Sequence, residues 1–81
     1  MSQNDIKLLM DAASAGGRVS VHECLDGILT GVKRSDRRAK LARLNAELLS
    51  ESVEMFQFSD RGLVASVLRQ TREAEKAPRQ Q

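Results

Sequence analysis

The chain has 81 residues, 41% of them hydrophobic, with one cysteine, no tryptophan or tyrosine, and 13 basic residues against 11 acidic ones. That describes one small domain with a thin core and excludes an internal disulfide, since Cys24 has no second cysteine to pair with. Only Phe56 and Phe58 are aromatic, which argues against reading single strands by base stacking.

Residues 5–15 read as a first helix. Asn4 stands at its cap, and Ile6, Leu9, Met10 and Ala13 recur at helical spacing. Gly16-Gly17 ends it, because glycine readily takes the left-handed geometry that follows a helix. Arg18-Val19 is too short to assign alone and is compatible with a two- or three-residue strand on the edge of a small sheet. Ser20 then opens a second helix with a capping box closed by Glu23. Val21, Cys24, Leu25, Ile28, Leu29 and Val32 give that helix an apolar stripe, and Gly31 marks a turn.

Ser35 is the next cap, for a third helix from Asp36 to Leu49. Leu41, Leu44 and Leu48 share one face. Ala39, Ala42 and Ala46 form a separate stripe with two explanations: close approach of the backbone to a groove or partner, or simple helix propensity. Val53 to Phe58 reads as a strand, by its branched and aromatic content and partial alternation. Ser59 caps a fourth helix with Asp60 in its first turn and Leu63, Val64, Val67 and Leu68 on its inner face. Residues 1–76 are expected to form a single helical domain, and 77–81 a flexible C-terminal tail. The fold expected is mostly α: a small four-helix domain with a helix-turn-helix and one or two short strands.

Chemistry is sparse. His22 and Cys24 are two residues apart, about 200° around a helix, and so cannot act as a local nucleophile–base pair. Neither CxxC nor HxxxH nor a phosphate-binding glycine loop occurs. No enzyme, cofactor, metal or small-molecule substrate is expected. No apolar run approaches the ~20 residues of a membrane span. Ala12-Ala13-Ser14-Ala15 follows Asp5, Asp11 and only a short apolar patch, unlike a secretory signal. The expected location is cytoplasmic.

The concentrated signal is charge. Residues 33–43, KRSDRRAKLAR, hold Lys33, Arg34, Arg37, Arg38, Lys40 and Arg43 against Asp36 alone, a net of +5. Seven basic and ten acidic residues remain elsewhere, a net of −3. Such a surface suits a polyanion, although Lys and Arg stems also cover cores from outside. The cluster lies in the turn and the first turns of the third helix, where a helix-turn-helix meets DNA.

This order of elements resembles the winged helix-turn-helix of bacterial and phage DNA-binding regulators. GGRVS stands as the short strand, VHECLDGIL as helix two and DRRAKLARLNAELL as the recognition helix. VEMFQFSDRG stands as the last wing strand, with Phe58-Ser59-Asp60-Arg61-Gly62 as its junction to the next helix. Only Ser50 to Ser52 separates helix three from that strand, so the wing is truncated or absent. The resemblance implies a homodimeric transcriptional regulator that contacts double-stranded DNA through Arg37, Arg38, Lys40 and Arg43, with Lys33 and Arg34 on phosphates. The rival expectation is a non-enzymatic protein-binding module, an inhibitor or adaptor whose basic helix docks on an acidic protein surface. RNA, gripped through phosphates and 2′-hydroxyls, is a third.

Overall fold

A computed structural model describes residues 5–50 and 58–76. Among the described residues there are three helices: α1 (Asp5–Leu29), α2 (Arg34–Ser50) and α3 (Phe58–Lys76). This corrects the expected four-helix, winged-helix-like architecture, and among the described residues there is no strand. Residues 1–4, 51–57 and 77–81, with the Asn4 cap, most of the expected strand at Val53–Phe58 and the expected tail, lie outside the described residues. Phe58 itself is helical and opens α3, so Ser59 falls inside that helix.

The first two expected helices are one element with a break. Gly17 adopts φ 69°, ψ −152°, a conformation that residues with a Cβ rarely take, and helical geometry resumes at once. Arg18 and Val19 are therefore helical. A two-residue strand with no neighbour would leave its backbone groups unpaired, whereas a helix satisfies them internally. Ser20 consequently sits within α1 and not at a cap. Its side chain lies over Gly16, where an added Cβ would collide with it.

Before the break, Ile6, Leu9, Met10 and Ala13 are buried; after it, Val21, Leu25 and Leu29 are. The bend at Gly17 lets both halves turn an apolar face to one core, which a straight rod of this length could not do.

The turn into α2 forms where Gly31 suggested. Gly31 has φ 85°, the Val32 N–H donates to the Leu29 carbonyl at 3.0 Å, and the Asp36 N–H donates to the Lys33 carbonyl at 2.8 Å. Lys33 thus precedes the helix and Ser35 lies in its first turn. Asp36, also in that first turn, complements the positive end of the helix dipole.

Helices α2 and α3 run antiparallel. Arg61, near the start of α3, donates from its guanidinium to the Leu48 carbonyl at 2.9 Å, close to the end of α2. That carbonyl lies in the last turn, where helix partners run out. At the opposite end, Arg37 of α2 meets Glu75 of α3. Arg18, just past the α1 break, donates to Gln70 Oε1 at 2.9 Å and Ser66 Oγ at 3.3 Å, tying α1 to α3. Leu41, Leu44, Leu48, Val64, Val67 and Leu68 complete a core with no buried polar or charged residue among those described.

Candidate nucleic-acid interface

The six cations of residues 33–43 divide into two groups. Arg37 and Lys40 turn inward. Arg37 lies in line with Leu41 and Leu44, four and seven residues on, and so shares the core-facing side of α2. Its Nε reaches the Val32 carbonyl at 3.5 Å, and its guanidinium lies 3.8 Å from the Glu75 carboxylate. Lys40, four residues before Leu44, flanks the same side and its Nζ is 3.3 Å from the Asp5 carboxylate. Their stems cover the rim of the core while their heads are neutralised by acids from α3 and α1.

The other four, Lys33, Arg34, Arg38 and Arg43, are exposed and have no ion pair among the described residues. Arg38 and Arg43 are five residues apart, which on an α-helix is about 140° of rotation and ~7.5 Å of rise. Between them, on the side of α2 directly opposite its leucines, lie Ala39, Ala42 and Ala46, all exposed. The outward face is thus a strip of methyl groups with one guanidinium on each flank that has no ion pair among the described residues. Arg34 and Lys33 add charge at its N-terminal end. Asp36 is exposed on the Arg43 side and lines, with Ile28, Val32, Lys33, Lys40 and Arg43, a shallow depression at the α1–α2 elbow.

At the far end of α2 the surface changes character. Leu49 is 68% exposed and borders a shallow depression shared with Leu48, Arg61, Gly62 and Ala65. Cys24 is half-buried on α1; burial first, and the nearby Asp5 carboxylate second, push its thiol above the ordinary range. His22 is half-buried two residues before it.

Density along the sequence groups all six cations together. Helical phase is the signal that separates them, since Arg37 falls into register with the leucines. The acids that hold Arg37 and Lys40, Glu75 and Asp5, come from 38 and 35 residues away in sequence, and no local pattern announces them. Arg72 lies outside the cluster and escapes a reading by density, yet it enters the same surface from α3.

No family model matches this chain, and neither the curated proteins nor the solved structures give a match. No helix among the described residues is long and apolar enough to cross a membrane.

Proposed function

We propose that this protein is a small DNA-binding regulator of transcription that lays the outward face of α2 against duplex DNA, and that it therefore works in the cytoplasm, where bacterial and phage DNA is found. One observation carries the reading: Arg38 and Arg43, without an ion pair among the described residues, stand on the two flanks of an exposed alanine strip, which Glu73 of α3 borders on the Arg38 side. On a helix ~10–12 Å across, side chains about 140° apart and ~7.5 Å apart along the axis have heads roughly 12–14 Å from one another, comparable to the ~12 Å width of a B-DNA major groove. The methyl strip lets the backbone come close, and the flanking guanidiniums reach the bordering phosphates. The contact set is Lys33, Arg34, Arg38 and Arg43. Arg37 and Lys40 serve the fold.

The test is a salt titration of duplex affinity. If each of the four outward cations neutralises one phosphate, log K should fall against log[salt] with a slope near −3.6, taking ~0.9 per phosphate. Arg38→Gln with Arg43→Gln should flatten that slope by roughly one to two units. Absence of duplex binding at low salt rejects the reading.

Exposed Leu49 and its apolar surround favour a second reading, contact with another protein surface. In its simplest form the partner is a second copy, which would give two symmetric DNA-contacting helices. The broader form is an inhibitor or adaptor docked on an acidic partner. Sedimentation of the chain alone and with duplex separates these. A dimer that Leu49→Ser converts to monomer supports the first form; a monomer that ignores duplex supports the second.

A further inference from the structure

The antiparallel packing of α2 and α3 brings the last turns of α3 beside the first turns of α2, and a notch opens between them. Arg38, Ala39 and Ala42 line it from α2, and Arg72 and Glu73 from α3. Two alanines and two arginines from two helices thus share its lining. Neither guanidinium has an ion-pair partner among the described residues, although the Glu73 carboxylate lines the same notch. Two like charges held at one opening repel each other, and an anion between them relieves that repulsion. Guanidinium forks also match the oxygens of a phosphate. Arg72 lies one turn from the C-terminus of α3, where the helix dipole favours a cation. That accounts for its charge but not for its lining one notch with Arg38.

We infer that this notch holds one backbone phosphate of the bound duplex, gripped by Arg38 from α2 and Arg72 from α3. The contact surface then crosses the seam between the two helices and does not end at α2. The inference rests on the duplex reading above. Glu73, at the rim, opposes the phosphate and limits affinity, while Ala39 and Ala42 leave room for its oxygens.

Duplex titrations of the full chain between 50 and 200 mM salt, with Arg72→Gln, Glu73→Gln and Arg38→Gln/Arg72→Gln, test this. Arg72→Gln should weaken binding roughly three- to tenfold at low salt, the loss of one charge-assisted contact. Glu73→Gln should tighten it. Because both arginines hold one phosphate, the double variant should flatten the salt slope by ~0.9 in total. Thermal unfolding of each variant shows that the fold is retained.

A slope change near twice that size would mean two separate phosphates and overturn the shared site. Unchanged affinity in Arg72→Gln, while Arg38→Gln/Arg43→Gln still flattens the slope, would overturn the inference and leave the duplex reading standing. No binding by the unaltered chain would remove both.

Discussion

Replacing Lys40 by Gln separates a cation that serves the fold from one that serves a ligand. The Lys40–Asp5 pair closes at 3.3 Å with side chains 25% and 22% exposed, so it is shielded but not desolvated. Ion pairs of this kind contribute about 0.5–1 kcal/mol, well below fully buried ones. In a domain of this size that corresponds to a fall in melting temperature of roughly 2–8 °C. Arg37→Gln should cost less, a few tenths of a kcal/mol, because its pair with Glu75 is longer, at 3.8 Å, and Arg37 is 37% exposed. Combining Lys40→Gln with Asp5→Asn should cost little more than either alone, since both remove the same contact. The duplex salt slope should stay unchanged within ~0.3 throughout, against the ~0.9 carried by a true phosphate contact. The assays are thermal unfolding by circular dichroism and fluorescence anisotropy across a salt series. If Lys40→Gln leaves the melting temperature alone and flattens the slope by ~0.9, then Lys40 faces the ligand, and the division into inward and outward cations is wrong.

Four further outcomes rest on the same structure. Gly17→Ala should destabilise by about 1–2 kcal/mol, because a Cβ disfavours φ 69°, whereas Gly27→Ala, in a helix with open space around it, should stabilise by up to ~1 kcal/mol; urea unfolding reads both. Arg18→Met removes the hydrogen bonds to Gln70 and Ser66 and should cost about 0.5–1 kcal/mol while keeping the stem, again by urea unfolding. Cys24 holds its proton more tightly folded than unfolded, so its contribution to stability is complete below the ordinary thiol range, about 8.5, and is lost as pH rises through the folded value. Asp5→Asn should therefore speed its alkylation at alkaline pH. Ala42→Leu, on the exposed face, should leave the melting temperature within ~2 °C, since leucine is nearly as good a helix former, yet weaken duplex binding at least tenfold if the strip enters a groove; equal affinity would make the strip a matter of helix propensity alone.

Most of the core was legible because its rule is local. Ile6, Leu9, Met10 and Ala13, then Leu41, Leu44 and Leu48, then Val64, Val67 and Leu68 repeat at helical spacing, and all of them are buried. The break at Gly16-Gly17 was legible too, since a glycine pair there signals a change of backbone direction. The immediate return to helix at Arg18 was not. Val19 favours a strand by propensity, yet it is 68% exposed and helical, carried along by the burial of Val21, Leu25 and Leu29. Tertiary burial of three large side chains outweighs the preference of one exposed residue. Ser20 resembles a cap for the same reason: the capping pattern is local, and whether a helix begins there depends on what the preceding residues pack against.

The charge cluster shows the same limit in electrostatic form. Sequence density puts six cations together, but the fold sorts them by helical phase and by what acids other helices bring near. Asp5 and Glu75 sit at the two ends of the described chain, and packing delivers each to one cation of α2. Neutralising Arg37 and Lys40 leaves the outward face with fewer charges than the sequence count suggests, but better placed ones. Charges at the edge of the core would lose solvation on ligand approach without reaching it, whereas Arg38 and Arg43, exposed and without an ion pair among the described residues, keep the hydration that a phosphate would replace under the proposed reading. Inward pairing and outward affinity are therefore complementary. Acids from distant segments quench the cations that the core needs for cover, so the positive field left on α2 comes from its outward cations, and Arg72 of α3 joins it across the seam.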